Sequence, residues 1–211
     1  MKKIWWTFSL IISLAIAPGL LYGSMGLGAP GIFEQQSGPV TVGPYLGFSS
    51  GGFGYEADFD GRFYTYSETA EPAAGSIKGG YQFNSFTAIE LELALGGNDS
   101  EYAPSINSDF EVDVRYFTTI QLRIEYPSYI IPYALFGLTR GRIIYEDANR
   151  RHSTISSSPV AGVGVRLPLR SDHRSSIFFE TKFLGERIFS RQRPITDDEL
   201  HQFALGITFG L

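Results

Sequence analysis

The stretch Gln202–Leu211 (QFALGITFGL) decides the fold of this chain. Every odd position carries a large apolar side chain, and every even position carries Gln, Ala, Gly or Thr. Because successive side chains of a strand point to opposite faces, this strand has one apolar face and one small, polar face. A transmembrane β-barrel accommodates such a strand, since lipid covers the apolar face and neighbouring strands pair both edges.

Seven further segments alternate with the same period, and no internal helix of convincing length accompanies them. The eight segments are Val40–Phe48, Gly75–Phe83, Thr87–Leu95, Val112–Tyr126, Ile130–Arg140, Val160–Leu169, Ser176–Leu184 and Gln202–Leu211. Three spacers of about 3 to 6 residues alternate with four of about 16 to 26 residues, which is the asymmetry of short and long loops in bacterial outer-membrane barrels. We therefore predict an all-β fold: an eight-stranded antiparallel up-and-down transmembrane barrel over residues 39–211, with four loops at the cell surface.

The amino terminus predicts export. Two lysines precede an apolar stretch from Ile4 to Leu21, and small residues follow it. This pattern is typical of a cleaved signal peptide, which we place at residues 1–26 with cleavage between 23 and 28. Residues 27–38 are then a short linker, and the mature protein is expected in the bacterial outer membrane.

Charge and composition narrow the function classes. The predicted signal peptide removes two lysines and no acid from the 17 basic and 22 acidic residues, so the mature chain has a net charge of about −7. This balance argues against nucleic acid as a partner. The chain has no cysteine, which excludes disulfides and thiol chemistry, and no motif predicts a metal site or a cofactor.

Below the strand tips, the charged residues of these segments share one phase, opposite to the apolar residues. An Arg or Lys that faces lipid costs about 2–4 kcal/mol at mid-bilayer, so the charged residues are expected inside the barrel. The predicted lumen network has five acids and five bases: Lys78, Glu90, Glu92, Asp113, Arg115, Arg123, Glu125, Arg166, Glu180 and Lys182. A soluble lipocalin-type barrel has the reverse phase, and the phase alone does not separate the two architectures. The signal peptide, the aromatic residues at the strand ends and the last strand favour the membrane barrel.

Several of these segments carry a family resemblance. The hairpin of Gly79–Asn84 and Ala88–Leu93, together with Pro132–Leu138, Ala161–Leu167 and Phe203–Leu211, resembles the small outer-membrane β-barrel family of OmpA-like, OmpX-like and opacity-type surface proteins. The resemblance implies a structural or surface-interaction role, as an adhesin or a factor that resists host defence, with a host or surface protein as partner.

The resemblance also implies recognition of the last strand by the outer-membrane assembly machinery. The apolar residues of that strand are Phe203, Leu205, Ile207, Phe209 and Leu211. Family members commonly end on Phe, whereas this chain ends on Leu211. No long segment follows the strand, so we expect no attached peptidoglycan-binding domain.

Arginines in the long loops suggest a second partner. Arg150, Arg151, Arg187, Arg191 and Arg193 lie in the third and fourth long loops, on the side where lipopolysaccharide phosphates sit. Guanidinium groups match phosphate geometry, so these residues are candidate contacts to outer-membrane lipid and lipopolysaccharide. Acidic residues lie close by, and a mixed solvated loop is the alternative.

Two other functions stay open at this point. A narrow pore needs a continuous water path, which paired lumen charges would interrupt. A lipid A deacylase or acyltransferase would need His152 or His201 to meet a serine and a carboxylate at the outer rim. The sequence around His152 does not match the deacylase pattern, so we expect no enzymatic activity and no catalytic residue.

Overall fold

A computed structural model of the protein describes residues 42–60, 65–103, 108–147, 150–169, 175–186 and 195–211, and the predicted signal peptide and linker lie outside them. Its elements are β1 (Gly43–Asp60), β2 (Thr65–Ala70), β3 (Ala73–Gln82), β4 (Thr87–Gly96), β5 (Asn98–Ala103), β6 (Ser108–Glu125), β7 (Ile131–Asp147), β8 (Arg150–Pro168), β9 (Ser175–Glu186) and β10 (Ile195–Gly210). Among these residues, no helix has the length and apolarity that crossing a membrane requires.

The strands close into the predicted eight-stranded antiparallel barrel. β2 and β3 together make one barrel strand, and so do β4 and β5, because each pair is interrupted for only one or two residues. β1 pairs with β10 in a register that runs from Tyr45 opposite Gly210 to Glu56 opposite Glu199. The last strand, whose alternation predicted the barrel, is therefore the strand that closes it.

A band of apolar side chains surrounds the barrel. Leu138 is 64% exposed and Leu205 is 59% exposed, whereas Leu135 and Ala204, on the opposite faces of the same two strands, are buried. Exposed aromatic residues gather at the short-turn rim, where Tyr126 is 61% exposed. Because so large an apolar surface is unfavourable in water, the hydrocarbon chains of lipid cover this band.

The strands extend well beyond the predicted segments. β1 and β6 have 18 residues each, β7 has 17 and β8 has 19. Much of the sequence that we expected as long surface loops therefore consists of strand ends. The prediction failed there because it followed the apolar phase, which stops where the lipid stops, although hydrogen-bonded pairing continues.

Beyond the apolar band, the described strands separate into two sheets. The first outer sheet consists of β2 and the outer halves of β1 and β10, while the second consists of β5 and the outer parts of β6, β7 and β8. The pairing of β3 with β4 ends near Ala74 and Gly96, and the pairing of β8 with β9 ends at Ala161 and Phe183. Within the part of the chain that the structure describes, β2 pairs with β1 and β5 pairs with β6.

Two glycines in the β1–β10 seam give a matched test of its packing. A methyl group on Gly206 would lie 2.3 Å from the carbonyl oxygen of Phe48, whereas one on Gly54 would lie 3.5 Å from the ring of Phe203. We expect Gly206→Ala to destabilise the barrel by about 1–3 kcal/mol, because backbone must move, and Gly54→Ala to be close to neutral. Unfolding in urea, followed by the gel shift of folded barrels, measures both. Equal stability of the two variants would contradict the close seam.

Candidate functional site

Ion pairs cross and fill the lumen in the part of the barrel that the apolar band surrounds, which we call the lower barrel. Lys78 on β3 contacts Glu180 on β9 at 2.6 Å, and two strands separate β3 from β9 in the sheet. Lys182 lies 3.1 Å from Glu180 and also contacts Glu92 on β4. All four side chains are at most 1% exposed. The barrel walls are therefore joined through its interior as well as around its circumference.

A second group of charges lies against the first. Arg123 contacts Glu90, and its Nε lies 2.8 Å from Oε1 of Glu125. Arg166 contacts the other oxygen of Glu125 at 2.7 Å, and the Tyr45 hydroxyl donates a hydrogen bond to Glu90. With the first group, four acids meet four bases, so the lower lumen is neutral and its carboxylates are paired.

Two residues of the predicted network are not in the lumen. Asp113 and Arg115 pair with each other at 2.7 Å, and the Arg115 side chain is 54% exposed. The cause is a β-bulge in β6, where Val114 pairs with Ile143 and Tyr116 with Arg142, so that Arg115 is the extra residue. The bulge reverses the facing of the strand, so Asp113 and Arg115 lie on the outside. The prediction of these two positions was wrong.

An apolar core, which the sequence analysis did not predict, fills the outer end of the barrel. Its buried residues are Phe53, Tyr55, Ala70, Ala94, Val112, Val114, Phe117, Ile143, Tyr145, Val160, Leu184 and Leu200. Both outer sheets contribute, and the rings of Phe53 and Phe117 lie 5.5 Å apart. The outer sheets thus have apolar interiors and polar exteriors, the reverse of the lower barrel.

The outer core also holds a buried carboxylate that the sequence analysis missed. Asp198 is 2% exposed and accepts a hydrogen bond from the Tyr55 hydroxyl at 3.3 Å. Burial, and then the negative charge of Asp198, raises the pKa of the Tyr55 phenol well above its ordinary value. The phenol therefore keeps its proton and remains a donor to Asp198 at physiological pH.

On the outside of the second outer sheet, arginines surround a pocket of about 440 Å³. Arg115, Tyr116, Arg142, Ile144 and Arg151 line it. The three arginines come from three neighbouring strands, and Ile144 beneath them is only 6% exposed. The Nε of Arg142 donates to Ser153 at 3.1 Å, and Arg151 lies 3.5 Å from Glu146.

The structure brings only one of the candidate lipopolysaccharide contacts into this pocket. Arg151 lines it. The side chain of Arg150 lies outside the described part of the structure, as do Arg187, Arg191 and Arg193 altogether. The structure instead adds Arg115 and Arg142, because the bulge in β6 turns Arg115 outward and the pairing of β7 with β8 places Arg142 close to Arg151.

The two candidate catalytic histidines lie on opposite faces of the sheet. His152 shares the lumen phase of β8 and is paired with Tyr145. His201 shares the outward phase of β10, where it contacts Glu199 at 3.4 Å and the Phe183 ring. Among the described residues, no three acidic or histidine side chains lie close enough together to hold a metal ion.

The apolar residues of the last strand face outward. Phe203 is 49% exposed and Leu211 is 72% exposed, and Leu205, Ile207 and Phe209 share their phase. The backbone N–H of Leu211 donates to the carbonyl of Pro44, so pairing with β1 continues to this residue. Recognition of the strand by the assembly machinery stays a prediction.

Comparisons with known proteins agree with this architecture. The profile of the family described as outer membrane protein beta-barrel domain matches residues 22–209. No curated protein matches the sequence. Neisserial surface protein A (NspA) is 14% identical with a TM-score of 0.51, and the match covers 80% of this chain and 97% of that one. The attachment invasion locus protein Ail of Yersinia pestis is 16% identical with a TM-score of 0.48, covering 81% and 100%. At these identities the likenesses concern the fold.

The lumen ion pairs predict an unequal response to two charge removals. Lys182→Met leaves Glu92 and Glu180 buried with fewer partners, and we expect it to destabilise the barrel by about 3–5 kcal/mol. Asp113→Asn removes one partner of a pair outside the barrel whose arginine is more than half exposed, and should cost less than about 1 kcal/mol. Urea unfolding in detergent micelles compares the two. If Lys182→Met unfolds at the same urea concentration as Asp113→Asn, the lumen network does not stabilise the barrel as described.

Proposed function

Since this chain belongs to the outer membrane protein beta-barrel family, we propose that it is a surface-interaction protein of the adhesin or host-defence-resistance type. It resides in the bacterial outer membrane. One observation supports the proposal above all: the two outer sheets project beyond the apolar band and share a buried core. Because this core is buried, the projecting sheets keep a fixed conformation in water.

The projection is long and pre-organised. Beyond Pro159, which pairs with Leu138 at the top of the apolar band, β8 continues to Arg150 while paired with β7. Nine residues of strand extend about 30 Å along the strand direction. A surface held by strand pairing and a packed core loses little conformational entropy when a partner binds, which favours affinity.

The edges of the outer sheets suit an extended polypeptide. Among the described residues, β8 pairs with β7 along residues 150–160, and its pairing with β9 begins only at Ala161. Ser153 and Ser157 are exposed on this strand. A partner segment could add as a further strand, with main-chain hydrogen bonds supplying affinity and side chains supplying specificity.

The filled interior argues against a pore. The charged layer closes the lower barrel, and the apolar core, including Phe53, Phe117 and Leu200, closes the outer end. Both the charged layer and the apolar core would have to open before water could pass through the barrel. An absence of enzymatic activity stays our prediction; a lipid A-modifying enzyme would need a hydroxyl nucleophile beside His201 or His152.

Conductance measurements test the closed lumen. We expect the protein, refolded and inserted into planar lipid bilayers, to give no stable single-channel steps, because the buried salt bridges and the apolar core leave no continuous water path. Reproducible ohmic steps whose size scales with salt concentration would support the pore and remove the filled-lumen argument.

Trimming the outer sheets tests the proposed function. One variant joins Glu56 to Thr69 through Asn-Gly, and a second joins Ile143 to Thr154 in the same way; both joins use paired residues and a favoured hairpin turn. We expect both variants to fold and reach the outer membrane, but attachment of bacteria to cultured epithelial cells, or survival in serum, should fall to the level of a deletion strain.

Surface labelling and the heat-dependent gel shift establish folding in each trimmed variant. If both trimmed barrels support attachment and serum survival as well as the complete protein, the outer sheets do not carry the function and the proposal is wrong.

A further inference from the structure

We propose that the pocket of Arg115, Arg142 and Arg151 binds a phosphate group of lipopolysaccharide in the outer leaflet. The pocket lies on the outside of the barrel, so a ligand there would be a neighbour of the barrel wall and would not enter the lumen. The proposal does not depend on the adhesin-type function, because it concerns the membrane around the protein.

The position of the pocket identifies the leaflet region that it faces. Ile120, Leu138 and Pro159 form the last apolar row across β6, β7 and β8, and Arg140 begins the next row. Arg142 lies four residues beyond Leu138, about 13 Å along a tilted strand. The arginines therefore start directly above the lipid-facing surface, at the depth of phosphorylated headgroups.

The charges of the pocket favour an anion. Its lining contains three guanidinium groups and no carboxylate. Asp113 and Glu146 approach from the margins and contact Arg115 and Arg151, while Arg142 has a hydroxyl partner in Ser153. Each arginine has several N–H donors, so it can keep these partners and still donate to phosphate oxygens.

The remaining lining suits the rest of a glycolipid headgroup. Tyr116 and Ile144 form an apolar floor between the guanidiniums, and Ile155 on β8 is 55% exposed beside Arg142. Tyrosine is favoured at membrane interfaces because its ring is apolar and its hydroxyl polar. A sugar ring on this floor would place its phosphate among the arginines and its acyl chains along the apolar band.

Continuity with the apolar band favours lipid over a sulfated polysaccharide. A soluble polymer would gain nothing from the apolar band that lies below the arginines. A lipid already bound to the band through its chains has its phosphate delivered to the pocket at high local concentration. Sulfated polysaccharide binding is the competing outcome of the test.

The test uses the complete folded protein in detergent micelles and fluorescently labelled deep-rough lipopolysaccharide, with affinity measured by anisotropy. Replacing Arg115, Arg142 and Arg151 together by Gln should weaken binding by at least about tenfold, since charge-assisted hydrogen bonds to phosphate are lost. Asp113→Asn with Glu146→Gln should strengthen binding several-fold. Removing the phosphates from the lipid should lower the affinity of the wild-type protein and leave the affinity of the pocket variant nearly unchanged.

The triple variant Arg62→Gln, Arg170→Gln and Arg174→Gln is a control with the same change in charge, at arginines that the sequence analysis does not assign to lipopolysaccharide. Equal losses in both triple variants would indicate general charge attraction and overturn the pocket, as would wild-type affinity in the pocket variant. A pocket variant that loses binding to heparin fragments but keeps full affinity for lipopolysaccharide would reassign the site to a sulfated polysaccharide. The heat-dependent gel shift confirms that every variant measured is folded.

Discussion

The change of solvent along each strand is the constraint on which this structure depends. Below the outer rim, lipid surrounds the barrel and the strands must place apolar side chains outside. Above the rim, water surrounds the same strands, and the hydrophobic effect draws apolar side chains inside. A strand that crosses this boundary stays hydrogen-bonded to its neighbours. Within a few residues, its outward face must therefore change from apolar to polar side chains, and its inward face from polar to apolar ones.

The strands make this exchange in two ways. In β7 the facing of the strand stays constant, and the exposed outward residues change from Phe136 and Leu138 to Arg140 and Arg142, while Ile143 and Tyr145 face inward. In β6 the parity of the apolar residues stays constant, and the bulge at Arg115 turns the backbone, so Val112 and Val114 face inward. The bulge also brings Arg115 into the arginine pocket, because it turns this side chain outward toward Arg142.

These two routes explain how far the sequence could predict the structure. Strand number, order and the charged lower lumen follow from period-two alternation, which lipid enforces strictly. The change of outward residues in β7, from Phe136 and Leu138 to Arg140 and Arg142, is visible in the printed sequence. The bulge in β6 leaves no trace in the alternation, since Val112, Val114, Ile120 and Leu122 share one parity. Pairing with β7 determines it, so Asp113 and Arg115 could not be placed from β6 alone.

Different interactions stabilise the lower and the outer half of the lumen. In the lower half, ion pairs such as Lys78–Glu180 join strands that do not share backbone hydrogen bonds. In the outer half, Phe53 and Phe117 bring the two outer sheets together after their strand pairing has ended. Separation of the sheets would expose this core to water, so the hydrophobic effect holds them together. The outer surface, including the arginine pocket, is thus fixed relative to the lipid band by the same core that closes the barrel.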